Sequence, residues 1–304
     1  MSLAPTEIHE PNGPVSSPLV HAFYDPTTAT WTYLVIDPTT KQTLLIDSVL
    51  GYDPASGRFN DTLSRGLVEW VQAHGLKVSK IIETHVHADH VTAAQVLKKQ
   101  LPSHPPVSIG EGVESVQKRF ARTYGFVDED FGGSFDELLR DGQEFSLGSL
   151  QCQIITLPGH TPDSIGVLVG DSLFAGDSLF MPDVGTARVD FPGGSASALY
   201  SSVRKIMSLP RHYRVFTGHD YPSNRNSRCM ATVEEQDETN KHVGGETSMA
   251  AFEAMRTKRD AELGTPRLLH ASLQMNLRGG RYPPADENGR RYIRIPVPVE
   301  TELP

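Results

Sequence analysis

The sequence contains few cysteines, and this limits the kinds of protein that it can encode. Its 304 residues include two cysteines, Cys152 and Cys229, which lie in separate predicted elements. Two isolated thiols cannot form the disulfide framework that stabilises small secreted domains. We therefore expect both cysteines to be free thiols in a reducing compartment, with Cys152 a small core residue.

Long apolar runs and targeting signals are also missing. No apolar stretch approaches the 18 residues that a transmembrane helix requires. Residues 1–18 lack the basic and apolar regions of a secretory signal. Transit peptides are rich in arginine, but no arginine precedes Arg58 in this sequence. We interpret residues 1–18 as a flexible leader and predict a cytoplasmic protein.

Basic residues are fewer than acidic residues. Lysine and arginine total 28 residues against 37 aspartates and glutamates, so the formal net charge is −9 at pH 7. Nucleic-acid binding needs a basic surface that neutralises phosphates, and anionic membranes would repel an acidic chain. The composition therefore predicts neither a nucleic-acid partner nor a membrane partner.

The pattern of apolar residues indicates an α/β protein. A β-meander is predicted at Leu19–Tyr24, Thr30–Ile36 and Thr43–Ile46, and mixed strands and helices follow to about residue 227. We interpret residues 50–60 as a loop, residues 143–157 as one strand, and the acidic and aromatic residues 125–142 as a solvated segment or a lid.

The composition shifts after residue 227. Residues 228–304 are predicted to form a helical extension and a C-terminal arm, packed on the domain of residues 19–227. A possible edge strand lies at residues 292–295, and the arm is a candidate dimer contact, since homodimers are common.

The most informative stretch is Glu83 to His90, which holds three imidazoles and a carboxylate within six residues. It follows a predicted buried strand at residues 78–82 and precedes a helical pattern that begins at Val91. Open α/β sheets place their ligand sites at such strand ends. His85 and His87 are two residues apart and can bind one metal ion, while Asp89 and His90 can face another.

The pattern His-x-His-x-Asp-His at residues 85–90 resembles the signature of the metallo-β-lactamase superfamily. That resemblance demands three later ligands, each after a strand, and His160, Asp177 and His219 occupy suitable positions. It implies a four-layer αβ/βα sandwich with the metal site along one edge. It also implies that Asp47, at the end of the third strand, supports the metal ligands.

The resemblance implies a ligand set for two divalent ions, most simply Zn²⁺. One ion would be bound by His85, His87 and His160, the other by Asp89, His90 and His219, and Asp177 would bridge them. Two such ions lower the pKa of a bound water so that it supplies a hydroxide, and they stabilise an oxyanion, which suits a lactam, lactone or thioester carbonyl. We favour a hydrolase of this kind, with Asp89 and Asp177 at the catalytic centre.

An alternative uses the same residues for redox chemistry. The residues 83–92, 181–194 and 218–221 also resemble the persulfide dioxygenases, a subfamily whose members bind one Fe²⁺ through three ligands. Those ligands match His85, His160 and Asp177, and the substrate would be glutathione persulfide with O₂.

Two further residues are predicted to bind a small-molecule substrate, for which a glutathione-linked compound is one candidate. Arg188 matches an arginine that binds a glutathione carboxylate in the dioxygenases, and Tyr221 follows the last metal motif. A guanidinium can bind a carboxylate through two hydrogen bonds. Arg188 could equally form a structural pair with Asp190.

Overall fold

The computed structural model describes residues 3–12 and 17–297 of the chain. Sixteen strands lie in these ranges: β1 (Glu7–His9), β2 (Leu19–Asp25), β3 (Thr30–Ile36), β4 (Gln42–Ile46), β5 (Val49–Asp53), β6 (Arg58–Asn60), β7 (Lys77–Ile82), β8 (Val91–Thr92), β9 (Val107–Gly110), β10 (Glu137–Leu139), β11 (Glu144–Leu147), β12 (Leu150–Thr156), β13 (Ile165–Val169), β14 (Ser172–Phe174), β15 (Arg214–Phe216) and β16 (Met230–Thr232). Seven helices accompany them: α1 (Thr62–Ala73), α2 (Ala94–Gln100), α3 (Val113–Tyr124), α4 (Ala196–Met207), α5 (Val233–Thr239), α6 (Met249–Asp260) and α7 (Leu269–Asn276).

The strands form two large sheets and one small one. The first sheet has the order β1-β2-β3-β4-β7-β9-β10, and the second has the order β11-β12-β13-β14-β15-β16. Strands β4, β7, β9 and β10 are parallel, as are β14 and β15, while the other neighbouring pairs in these sheets are antiparallel. A third sheet joins β6, β5 and β8.

The two large sheets pack against each other through a shared apolar core. Trp31 and Tyr33 of the first sheet lie in one buried cluster with Val167, Phe174 and Phe216 of the second. The outer face of the first sheet packs against α1, α2 and α7, and that of the second packs against α4, α5 and α6. This is the predicted four-layer α/β sandwich, with helices on both outer faces.

Several predicted elements differ from the structure because short-range pairing overrides the sequence pattern. Residues 50–60 hold the hairpin of β5 and β6 in place of a loop. The single strand predicted over residues 143–157 is a hairpin, which turns at Gly148 with a φ of +60°. The helix after the histidine motif begins at Ala94, because Val91 and Thr92 pair with β5 first.

Towards both ends of the chain, the structure contains elements of secondary structure that the sequence pattern did not predict. Within the predicted leader, residues 7–9 form β1, which pairs with β2, so this part is an edge strand. Residues 269–276 form α7, which we did not predict, and no strand forms at residues 292–295 within the described range. The boundaries at residues 18 and 227 stay predictions.

Residues 125–142, predicted as a solvated segment or a lid, contribute a strand to the first sheet. They hold a short 3₁₀ turn and β10, which extends the first sheet beside β9. Asp136 forms an ion pair with Lys98 at 2.6 Å and accepts a hydrogen bond from the backbone N–H of Val107. Among the helices of the described ranges, none is both long and apolar enough to cross a bilayer.

Candidate metal centre

The histidine motif lies in a buried turn at the carboxyl end of β7. The turn is fixed from the sides: the N–H of Glu83 donates to the carbonyl of Ser108 at 3.0 Å, and the N–H of Val86 donates to Asp163 at 2.8 Å. Three motif histidines, His85, His87 and His90, are at most 2% exposed. The turn therefore holds its polar side chains inward.

The three later candidate ligands come from strand ends of the second sheet. His160 follows β12, Asp177 lies in the 3₁₀ turn after β14, and His219 follows β15. Strands β12, β14 and β15 run in the same direction, since β13 is antiparallel to both β12 and β14 and β15 is parallel to β14. Their carboxyl ends meet at one edge of the sandwich, beside the end of β7.

The seven predicted side chains converge around Asp177. One of its oxygens, Oδ2, lies 4.0 Å from Nε2 of His85 and 3.6 Å from Nε2 of His160. Its other oxygen lies 3.5 Å from Nε2 of His219, which is also 3.2 Å from Asp89. Two groups of donor atoms therefore face opposite oxygens of one carboxylate.

His87 and His90 complete these two groups. The ring of His87 lies 4.1 Å from that of His85 and 4.1 Å from that of His90, measured between centroids. Donor atoms of His87, Asp89 and His90 all lie within 4.8 Å of one another, as do those of His85, His160 and Asp177.

Hydrogen bonds at the far side of the rings decide which nitrogen faces the centre. Nδ1–H of His160 donates to the carbonyl of Arg188 at 2.7 Å, and Nδ1–H of His219 donates to that of Ala29 at 3.1 Å. These bonds leave Nε2 of both rings facing the centre. Protein partners of this kind orient metal-binding imidazoles.

Asp47 and Thr84 orient the two remaining histidines of the first group. Nδ1 of His85 lies 3.0 Å from the hydroxyl of Thr84, which in turn donates to Asp47 at 2.8 Å. Nε2 of His87 lies 3.1 Å from Asp47 and 3.2 Å from Glu83. Asp47 has a φ of +52°, a left-handed conformation that Asn and Asp tolerate better than most residues.

Several buried donor atoms at the centre have no hydrogen-bond partner among the described residues, and this indicates a cation site. Within the described parts of the chain, Nε2 of His85 and His90, Nδ1 of His87, Oδ2 of Asp89 and Oδ1 of Asp177 are buried and have no hydrogen-bond partner. Buried polar atoms without a partner are costly, and these five are imidazole nitrogens and carboxylate oxygens. The residues fit one or two metal ions.

The charges at the centre support this assignment. Burial, reinforced by His87 and His160, lowers the pKa of His85 well below its usual value, so this ring is neutral and can bind a metal. Burial opposes a charge on His219, but Asp177 and Asp89 outweigh it and raise the pKa of that ring. Without a metal, protons therefore balance the buried carboxylates, and a bound cation would replace them.

A cavity of about 580 Å³ opens onto the centre. Its lining includes Asp89, His160 and Asp177 of the centre, together with Phe180 and Tyr221. The C-terminal part of the chain contributes Arg256 and Arg259 of α6 and the loop residues Lys241, Leu263 and Pro266. The extension thus forms part of the cavity.

The predicted substrate residues both line this cavity, with different surroundings. The guanidinium of Arg188 donates to both carboxylate oxygens of Asp190 at 2.5 Å, and its third contact is the carbonyl of Gly264 at 2.8 Å. Asp190 therefore occupies the side of the guanidinium that could form two hydrogen bonds with a carboxylate. This is the structural pair that the sequence offered as the alternative to substrate binding. Tyr221 is 53% exposed, and its ring stacks on His219.

Two residues that support the site, Glu83 and Asn276, were not predicted from the sequence. Glu83 accepts a hydrogen bond from Thr92 at 2.7 Å as well as facing His87. The side-chain amide of Asn276 donates to the carbonyls of His87 and His90 at 2.8 and 2.7 Å. Glu83 lies inside the motif and was available as a signal, whereas nothing in the sequence marks Asn276.

Comparison with known proteins agrees with the geometry. The sequence model of the metallo-beta-lactamase superfamily matches residues 25–219. The chain belongs to this superfamily. The crystal structure of ETHE1 from Myxococcus xanthus matches with a TM-score of 0.69 and 30% identity, covering 86% of this chain and 99% of that one.

Two curated relatives show the range of names among similar proteins. The beta-lactamase hydrolase-like protein of Xylella fastidiosa (strain 9a5c) is 43% identical over 285 residues, which is 93% of this chain and 65% of that protein. This chain therefore spans slightly less than two thirds of that relative. The mitochondrial persulfide dioxygenase ETHE1 of Bos taurus is 27% identical over 283 residues, covering 92% of this chain and 96% of the relative.

Proposed function

We propose that the chain is a mononuclear iron dioxygenase that oxidises the persulfide of a carboxylate-bearing thiol, such as glutathione persulfide, with O₂. The observation that carries the proposal is the convergence of His85, His160 and Asp177 beside the cavity. Two histidines and one carboxylate with open positions are the ligand set of non-haem Fe(II) oxygenases. The similarity to ETHE1 proteins supports this choice, and the hydrolase that we preferred from the sequence stays a second candidate.

Each of the three ligands is held by its own part of the chain. Thr84 and Asp47 orient His85, and the carbonyl of Arg188 orients His160. Asp177 lies in the 3₁₀ turn after β14, and this turn is joined to β15 by a hydrogen bond from the N–H of Ala175 to the carbonyl of Phe216 at 2.9 Å. A bound Fe²⁺ would supply the redox chemistry that couples O₂ to sulfur oxidation. These hydrogen bonds aim the ligand nitrogens at one point, and the lowered pKa of His85 keeps that ring neutral.

The cavity wall supplies charges for an anionic substrate. Arg188 and Arg256 are already paired, with Asp190 and Asp260 respectively. Lys241 and Arg259 line the same cavity and take part in no ion pair within the described residues. In a chain of net charge −9, two such cations beside the centre suit the carboxylates of a glutathione-type thiol.

Hydrolysis remains a second candidate because of one specific observation. Oδ2 of Asp89 and Nε2 of His90 also lack hydrogen-bond partners in the described residues, and Nε2 of His219 lies 3.2 Å from Asp89, so these three side chains could hold a second cation. Two Zn²⁺ ions would supply an activated hydroxide for a lactam, lactone or thioester carbonyl. Asp89 and Asp177 would then both lie at the reacting centre.

Oxygen consumption separates the two candidates. Iron-loaded protein given glutathione persulfide should consume O₂, and the H160A variant should lose at least 100-fold in rate, because a ligand is removed. The zinc-loaded protein should hydrolyse a panel of lactams, lactones and thioesters no faster than its D177A variant. No O₂ uptake with iron bound, together with fast hydrolysis by the zinc form, would reject the dioxygenase.

The substrate charge has its own test. Substituting Lys241 and Arg259 together by glutamine should raise KM for the persulfide about tenfold or more and leave kcat nearly unchanged, since neither touches the ligands. The E262Q variant is a surface control with an unchanged KM. An unchanged KM in the double variant would remove these cations from the substrate site. The absence of nucleic-acid and membrane partners, the homodimer and the cytoplasmic location stay predictions.

A further inference from the structure

A second cluster of potential metal ligands lies outside the histidine motif. It consists of Glu7 and His9 on β1 and Cys229, which directly precedes β16. Nε2 of His9 lies 2.8 Å from Oε2 of Glu7 and 3.2 Å from Sγ of Cys229, and Sγ lies 3.2 Å from the same glutamate oxygen. Three donor atoms of three kinds therefore meet at one point.

The cluster lies where the two large sheets meet. Strand β1 is the last strand of the first sheet, and β16 is the last strand of the second. Glu7 and His9 are two residues apart, so their side chains share one face of β1. The edge of the His9 ring packs on Phe216 of the second sheet, with centroids 5.1 Å apart.

The geometry argues against a nucleophile with a histidine base. Such a relay uses both ring nitrogens, one for the nucleophile and the other for the orienting acid. Here a single atom, Nε2 of His9, contacts both Glu7 and Cys229. Cys229 is 0% exposed, so no substrate could reach its sulfur.

The same geometry suits a metal ion. We propose that Glu7, His9 and Cys229 form a second metal site for one Zn²⁺, which joins the edges of the two sheets. Thiolate, imidazole and carboxylate are the zinc ligands of proteins, and two of the three are anionic and would neutralise the ion. Donor atoms around a tetrahedral zinc lie about 3.3 to 3.6 Å apart, so shifts of a few tenths of an ångström suffice.

The surroundings allow an ion to enter and to be held. The side chains of His9 and Glu7 are 16% and 24% exposed, so the site opens to solvent on their side. His9 is the only partner in an ion pair with Glu7 among the described residues. Binding would convert the Cys229 thiol to a thiolate and release its proton to solvent.

Cobalt provides a test that is specific to this cluster. Co²⁺ occupies zinc sites and gives an intense near-ultraviolet charge-transfer band when a thiolate binds it. The centre at His85–His90 contains only nitrogen and oxygen donors, so a sulfur band reports Cys229 alone. We expect the full chain to show this band and the C229S variant to lose it.

Two further variants make the result decisive. C152S, which alters the other buried cysteine, should keep the band. H9Q retains the sulfur and changes a partly exposed residue, so it should fold and yet lose most of the band. Zinc bound after dialysis should fall by one equivalent per chain in C229S and H9Q. Absence of the band in the wild type, or its persistence in C229S, would overturn the proposal.

Discussion

The support that Asp47 gives to the metal ligands yields a quantitative prediction for the D47N variant. Oδ1 of Asp47 accepts from the N–H of Thr84 at 2.8 Å and lies 3.1 Å from His87, and Oδ2 accepts from the hydroxyl of Thr84. Asparagine has nearly the same shape and tolerates the φ of +52°, so the backbone should be retained.

The change acts on the hydrogen bonds of Oδ2 and on the charge. The amide group of asparagine keeps an acceptor for the Thr84 N–H but places NH₂ where Oδ2 was. The hydroxyl proton of Thr84 then loses its acceptor, and the chain of hydrogen bonds to His85 is broken. His87 also loses a buried negative partner at its Nε2.

We expect metal affinity to fall about 10- to 100-fold, the usual effect of changing a residue that orients a ligand. This corresponds to about 1.4 to 2.8 kcal/mol of binding free energy. The free energy of unfolding of the metal-free protein should fall by about 1.5 to 3 kcal/mol, the value of one hydrogen bond to a charged group.

Competition with a chelating dye measures the affinity, and denaturant unfolding measures the stability. The matched control is D37N, which changes another buried aspartate whose partners are Thr39, Thr40 and Ser149. This control should lose stability and keep its metal affinity. Wild-type affinity in D47N, or an equal loss of affinity in both variants, would refute the reasoning.

Three other predictions concern different parts of the molecule. A Cβ on Gly218 would lie 2.4 Å from Oδ1 of Asp177, so G218A should weaken metal binding at least tenfold in a dye titration, and unchanged binding would contradict the crowding. Burial lowers the pKa of His21 in the folded protein to about 4, so the unfolded chain binds more protons than the folded one between pH 6.5 and 4. The free energy of unfolding should therefore fall by at most about 3 kcal/mol as the pH falls through this window. An H21N variant with the same acid sensitivity as the wild type would contradict this role of His21. Ile295 and Val297 are 66% and 77% exposed, and their double change to aspartate should halve the mass of a homodimer in light scattering, whereas an unchanged dimer would exclude the arm.

Much of the centre could be predicted because its ligands follow a simple rule of position. Each ligand motif comes after a strand with a clear apolar pattern, and strands that run in one direction end at a common edge. The motif at His85–His90 marked one strand end from its own residues, and the resemblance to the superfamily then identified His160, Asp177 and His219 as the other ligands.

The features that could not be predicted depend on contacts between residues far apart in the sequence. Asn276 lies 186 and 189 residues from the carbonyls that it binds, and a single asparagine outside any recognisable motif carries no signal of this role. The cluster of Glu7, His9 and Cys229 spans 222 residues and forms only because two sheet edges meet. The pairing of Arg188 with Asp190 was visible as a possibility, but its preference over a substrate carboxylate is a property of the folded cavity.

The central claim is that His85, His160 and Asp177 bind one catalytic iron. The most direct measurement is X-ray diffraction from crystals of the iron-loaded protein, collected on both sides of the iron absorption edge. The account predicts a single strong iron peak in contact with these three side chains. Two iron peaks of equal height, with the second on Asp89, His90 and His219, would contradict it and favour a dinuclear hydrolase.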